Sequence, residues 1–317
     1  MQRERVVRYF ALGFLVLLAI LGVVVPSGVR SLIIQIMIFG IFAMGYDVCL
    51  GYTAQCSLGH SLFFGAGAYG CVLSIMHLKA GLLASLGISV GSGFVLAFLL
   101  GLICVRLSEA YFVIVTAIIA AVFHLLAMDL VWLTGGDDGL SVSIPPLDLV
   151  FVQLSVYRPL VNYYVVLFLM ALSYFIVARI LNAPLGKIFV SIRENPKRAQ
   201  FLGYNVTRYK LIAFVISGML TALSGALYAV TLRYASADYL GFYWSVLPVV
   251  WCLVGGTGTL VGPWIGVALM SYFQYYVSAW FTAYLLVFGV LILIILRVSQ
   301  KGVLGYVASL GGRHGNG

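Results

Sequence analysis

Apolar runs long enough to cross a lipid bilayer recur along almost the whole chain, and no other feature limits the fold so strongly. Crossing a hydrocarbon layer of roughly 30 Å takes about 20 predominantly apolar residues in a helix. Read against the charges that bound them, the runs fall at about 9–25, 31–49, 58–78, 82–105 and 111–133, then at 160–180, 209–231, a short one at 243–254, 261–280 and 283–296. Of the 317 residues, 63% are hydrophobic and 9% charged, whereas soluble domains are about a quarter charged. A water-soluble core is excluded. The expected fold is an all-α bundle of roughly ten spans, and little chain is left for a soluble domain, so residues 1–317 read as one membrane domain.

The 35 glycines suit close helix packing and broken helices, both tolerated in membrane bundles. Cys49, Cys56, Cys71, Cys104 and Cys252 have no C-x-x-C spacing and read as packing residues. The first run follows Arg3, Arg5 and Arg8 and lacks a cleavage signal after it, so it is expected to stay as a span.

Orientation follows from the cations, which concentrate in cytoplasmic connections. With the N-terminus inside, 14 of the 18 Lys and Arg fall inside, and only Arg30, Lys79, Arg158 and Arg233 fall outside. The connection from Thr134 to Pro159 carries Asp137, Asp138 and Asp148 and is expected outside. The alternation closes if 243–254 is a full pass; a re-entrant segment would move the C-terminus to the other side. The net charge of +9 then marks the cytoplasmic face against membrane lipid and implies no nucleic acid.

The cytoplasmic connection, about 181–208, carries its own helix punctuation. Asn195 is a good N-cap, Pro196 suits the first helical position, and Gly203 is placed to close the helix in a left-handed turn. A short helix over Pro196 to Leu202 is predicted. Ala199 and Leu202 with Phe201 would give it an apolar face, beside Lys197 and Arg198, fit to dock on another protein; a solvated basic loop is the alternative.

The run Ile192-Arg-Glu-Asn-Pro-Lys-Arg-Ala-Gln-Phe-Leu-Gly-Tyr-Asn-Val-Thr-Arg-Tyr-Lys-Leu211 resembles the cytoplasmic loop of LivM-type permeases, the membrane subunits of branched-chain amino-acid ABC importers. Gly51-Tyr-Thr-Ala-Gln-Cys-Ser-Leu-Gly-His60 with Phe63 to Tyr69, Thr134 to Leu140, and Val254 to Pro263 are similar to further family segments, in the family's order. The departures are Ala54, where the family usually has Gly, and Asp137–Asp138, where sequences vary and which bears on substrate identity. The resemblance implies a coupling helix resting on an ATPase subunit, with Arg193, Glu194, Pro196, Lys197, Ala199 and Gly203 as the coupling residues. It also implies a related permease subunit, two cytoplasmic ATPase subunits and a periplasmic solute-binding protein as partners, in a bacterial inner membrane. The cargo would be a branched-chain or other apolar amino acid, although urea and short amides are carried by permeases that look much alike.

Two Gly-rich stretches, Gly51 to Gly59 and Gly255 to Gly262, interrupt apolar runs. Irregular backbone at membrane depth survives only where protein or a wet cavity surrounds it, and broken helices aim dipole ends inward. The stretches therefore either line the transport path or simply make close packing and tight turns. Tyr46, Gln55, Ser57 and His60 are the path candidates. The other ionisable candidates are Asp47, Glu109, His124 and Asp129. Glu109 is expected to pair with Arg106, and His124 either bonds a neighbouring helix as a neutral imidazole or relays protons.

No Walker G-x-x-x-x-G-K-[ST] occurs, so the chain is expected to need no cofactor of its own, with ATP bound by partner subunits. Metal-binding His spacings and a G-x-S-x-G elbow are also missing, and an enzyme is not indicated. Asn205-Val-Thr207 is a glycosylation sequon placed in a cytoplasmic connection, where it has no meaning. The rival reading is an autonomous ion-coupled carrier, which would need intramembrane acids such as Asp47 and Asp129. A passive pore would need a ring of charges that the sequence lacks.

Overall fold

The computed structural model describes residues 17–149 and 152–277, with the single positions Gly13 and Gly289. The elements are α1 (Ser27–Thr53), α2 (His60–Leu78), α3 (Leu82–Cys104), α4 (Glu109–Asp129), α5 (Pro159–Asn182), α6 (Pro184–Glu194), α7 (Pro196–Phe201), α8 (Val206–Leu232), α9 (Phe242–Gly255) and α10 (Gly262–Val277). Residues 17–24 are helical as well.

The sequence expectation is roughly ten spans over the whole chain, and the described residues hold part of that set. Among the described residues six helices, α1 to α5 and α8, are long and apolar enough to cross a membrane. The 243–254 run becomes α9, 14 residues long, which at 1.5 Å per residue covers about 21 Å and falls short of the bilayer. The 261–280 run is seen as α10, 16 residues. The 9–25 run is described only from residue 17, and 283–296 lies outside the described residues apart from Gly289.

Burial separates a central layer from a lipid-facing shell. In their most apolar windows α1 is 78% buried, whereas α4 is 22% and α3 and α5 are each 28% buried. The outer helices present Phe98, Ile103, Ile118 and Phe168 outward, as a surface facing acyl chains should. At the centre α1 and α8 run antiparallel: Ser224 Oγ donates to the Ile38 carbonyl at 2.8 Å, and Gly45 lies against Leu220. Such close contact rests on small residues. Gly67 of α2 abuts the Ala222 backbone, Gly225 of α8 abuts the Phe64 carbonyl, and Gly93 of α3 meets Ala222 and Gly218.

α1 and α8 share a further property. Each has 27 residues, and each ends on a non-glycine in the left-handed region, Ala54 at φ 56° and Arg233 at φ 58°. The chain then turns back into the bundle, so that α2 starts beside the midpoint of α8, with His60 Nε2 2.7 Å from Ser217 Oγ. α9 starts against it: Ser61 N–H donates to Ser245 Oγ at 2.9 Å, and the two hydroxyls are 2.8 Å apart. From that meeting point α2 and α9 leave in opposite directions, the arrangement expected where two inverted halves meet.

The faces of the bundle differ in charge. Arg106, Arg179, Lys187, Arg193, Lys197, Arg198, Arg208 and Lys210 sit at one face, with α6 and α7; Arg30, Lys79, Arg158 and Arg233 sit at the other. On that far face the α4–α5 connection is held by β1 (Leu140–Ser141), by the hairpin of β2 (Leu147–Leu149) and β3 (Val152–Leu154), and by β4 (Tyr234–Ala235), which pairs with β1. Tyr69 Oη donates to the Thr134 carbonyl at 3.1 Å, and the Arg233 guanidinium lies 4.1 Å over the Tyr157 ring. Gly135, Gly136 and Gly139 all have positive φ, which explains the glycine-rich Thr134 to Leu140 segment.

Candidate functional site

The connection between α5 and α8 is an arm of two helices. α6 begins with Pro184 at its first turn and buries Gly186, Phe189 and Ile192. α7 begins with Pro196 and is capped by Asn195, whose Oδ1 accepts from Arg198 N–H at 3.0 Å. It closes at Gly203, φ 88°, with Gly203 N–H on the Gln200 carbonyl at 2.9 Å and Tyr204 N–H on the Ala199 carbonyl at 3.2 Å. That bond pair is a Schellman turn. The helix predicted over Pro196 to Leu202 is therefore present, with Leu202 as its cap. Asn205, the sequon residue, caps α8 by accepting from Arg208 N–H at 3.1 Å.

The docking face needs one correction. Ala199 is not offered to a partner: it is fully buried with Ile192 and Val206, packed by Ile188 and Tyr209. A side chain that small lets α7 lie flat on α6 and α8, so Ala199 anchors the helix. The exposed residues are Phe201 at 91% and Leu202 at 67%, flanked by exposed Pro196, Lys197 and Arg198. They are two adjacent large apolar side chains left bare outside the spans.

The arm grips the bundle through Arg193, at the end of α6, whose Nη1 donates to the Gly51 carbonyl at 2.6 Å. One turn earlier in α1, the Asp47 carboxylate accepts from the Gly258 amide at 3.0 and 3.1 Å. Gly258 has φ 71°, and a Cβ there would meet the Arg193 guanidinium at 2.5 Å. Arm, end of α1 and the 256–261 break thus form one polar knot. The 256–261 break and the Gly51 end of the other stretch stand at the arm's face, and from there residues 54–59 run back into the bundle.

The path candidates are held in the neighbouring 54–59 break. Tyr46 Oη donates to the Ser57 carbonyl at 2.9 Å and accepts from Ser57 N–H at 3.2 Å. The Tyr46 and His60 rings meet edge to face, 4.7 Å between centroids. Tyr46, Ser57 and His60 are fully buried. Gln55 stands apart, lining a cavity of about 270 Å³ with Glu109 and Lys210. Arg106 and Glu109 form no ion pair among the described residues. His124 bonds the neighbouring 237–240 turn, Nδ1 lying 2.9 Å from the Ala237 carbonyl.

Sequence reading missed α6, the Arg193–Gly51 grip and the Asp47–Gly258 pair. The first had a signal, since Leu185, Ile188, Phe189 and Ile192 recur at the i, i+3, i+4, i+7 spacing of an amphipathic helix. The grips join residues 142 and 211 positions apart, and nothing local announces them.

Comparison with known proteins bears on what the arm is for. Residues 28–296 match the family model for the branched-chain amino acid transport system / permease component. The chain is 28% identical over 273 residues to the high-affinity branched-chain amino acid transport system permease protein LivM of Salmonella typhimurium, covering 80% of this chain and 64% of that protein. It is 26% identical over 302 residues to a probable LivM of Methanocaldococcus jannaschii, 90% and 82% of the respective lengths. It is 23% identical over 299 residues to the permease protein LivH of Salmonella typhimurium, 84% and 91%. No solved structure matches the chain.

Proposed function

Because the chain belongs to the family of branched-chain amino acid transport permease components, we propose that it is the membrane-spanning subunit of an ATP-driven importer of branched-chain or other apolar amino acids. In this reading residues 1–317 are a single permease domain in a bacterial inner membrane, with the N-terminus and the arm in the cytoplasm. The clustering of basic residues on the arm's face supports that orientation. A related permease subunit lies beside it, two separate ATPase subunits bind and hydrolyse ATP, and a periplasmic solute-binding protein delivers cargo.

The observation that carries the proposal is a bare apolar knob, Phe201–Leu202, on an arm tied by Arg193 to the end of a central helix. Closure of the ATPase pair on ATP would push α7, and α6 would move with it through the Ile192–Ala199–Val206 contact. Arg193 would pass the displacement to the Gly51 carbonyl, and Asp47 to the Gly258 amide. Both breaks are then driven by one lever, which is how a small movement becomes a switch between access states. Glu194 and Pro196 join the two arm helices; Lys197 and Arg198 offer charge beside the knob; Gly203 ends it. Tyr46, Ser57 and His60 would reach the path only when the 54–59 break opens, and Gln55 would stand at its mouth. The ion-coupled carrier has less support, since Asp47 is already committed to Gly258.

Co-purification tests this reading. Replacing Phe201 and Leu202 together by Asp should leave the permease folded and membrane-inserted, and should lower recovery of the ATPase subunits at least tenfold, as expected for two apolar anchors lost from an interface. Undiminished recovery would count against the knob as the docking point.

A further inference from the structure

A second cavity, of about 370 Å³, lies in the far half of the bundle between α1, α8, α9 and α10, within the range of about 300–1,000 Å³ usual for small-molecule sites. One wall is aromatic. The Phe39 ring lies 5.3 Å from Tyr228, 5.9 Å from Trp244 and 5.2 Å from Trp251. The Trp244 indole is held by donating to Asp238 Oδ2 at 3.2 Å. Facing the cavity from α1 and α10 are Gln35 and Gln274, whose amides make no hydrogen bond among the described residues.

That chemistry selects its occupant. No acidic, basic or histidine side chain lines the cavity among the described residues. Gln35 is half-buried and Gln274 exposed, so the cavity is open on the α10 side; a net charge placed against its aromatic wall would have no ionised partner and be disfavoured. Primary amides donate to a carboxylate and accept from an ammonium, aromatic faces attract an ammonium, and ring surface packs against aliphatic groups. Trp244 and Trp251 belong to α9, whose other end leads into the break that Gly258 anchors on Asp47. The aromatic wall and the 256–261 break are therefore joined by one helix, which carries Pro248 between Trp244 and Trp251.

We propose that this cavity is a subsite for a net-neutral molecule with an apolar side chain. Gln35 and Gln274 fix the polar head; Phe39, Tyr228, Trp244 and Trp251 receive the apolar part. The proposal rests on the transport reading, and the test separates the two.

The test uses the complete assembly in nanodiscs, without the solute-binding protein. Binding of tritiated leucine is measured there and competed with leucinamide, which carries a net positive charge, and with 4-methylvalerate, which carries a negative one. Unlabelled leucine should compete at least tenfold better than either analogue, and Gln35→Leu and Gln274→Leu should each weaken leucine binding about tenfold, the effect of one well-placed hydrogen bond. Gln274→Glu should reverse the preference toward leucinamide, a gain that misfolding cannot mimic. Leucine binding that is absent, or insensitive to both leucine substitutions, overturns the subsite. ATP-driven uptake by the unaltered assembly in proteoliposomes is scored separately: its persistence would spare the transport reading, while loss of uptake with binding intact would spare only the subsite.

Discussion

At the scale of single residues, the left-handed cap at Ala54, φ 56°, places a Cβ close to the following carbonyl, at a cost of about 1–2 kcal/mol for an L-residue. The resembling family usually has Gly there, and the structure supplies the reason. Ala54→Gly should raise stability by about 1 kcal/mol, part of the relieved strain being offset by the freer unfolded chain; thermal unfolding in detergent checks it, and a lowered midpoint would contradict it. Arg193 tests the lever itself. Arg193→Ala removes a charge-assisted bond of 2.6 Å to Gly51 and should cut uptake about tenfold while ATP hydrolysis by the assembly continues. Parallel loss of both activities would point to failed assembly instead. Arg193 was legible as a coupling candidate because of the loop it sits in. Its partner was not, because the backbone carbonyl of a distant glycine carries no sequence signature.

Among the elements, α7 was the most legible. Six residues are too few to hold a helix alone, so its ends had to be written into the sequence, and Asn195, Pro196 and Gly203 write them. What a cap signal cannot give is rotation about the helix axis. Ala199 was expected outward and lies inward, because α6 was not recognised and so the surface that covers Ala199 was missing from the reading. α8 raises a different issue, since its glycines were legible as packing residues but their neighbours were not. Gly225 lies against the Phe64 carbonyl so closely that any Cβ would strike backbone. Gly225→Leu should therefore abolish folded protein in membranes, measured as loss of the monodisperse peak in size exclusion, because overpacking against main chain cannot relax by a rotamer change. The same substitution at Gly91, where nothing lies within 4 Å, should be tolerated.

For the molecule as a whole, the membrane bundle was legible from hydropathy, and the two charged faces from the alternation of cations. The full pass over 243–254 was not borne out, since a helix that starts at mid-depth has the composition of a span without its length. α9 is the case in point, entering beside Ser61 rather than at a surface. The opposed pairing of α2 with α9 was equally hidden, because the bond that joins them, Ser61 to Ser245, spans 184 positions of the chain. From this architecture comes the central claim, that an arm on the cytoplasmic side passes the motion of an external ATPase into both breaks. The direct measurement is a cysteine placed at 201, with Cys56, the one native thiol that is not buried, replaced by Ser, in cells making the whole assembly. The account expects Phe201→Cys to react with a membrane-impermeant maleimide only from the cytoplasmic side and to cross-link to the ATPase subunit; labelling from outside, or cross-linking to no ATPase, would contradict it.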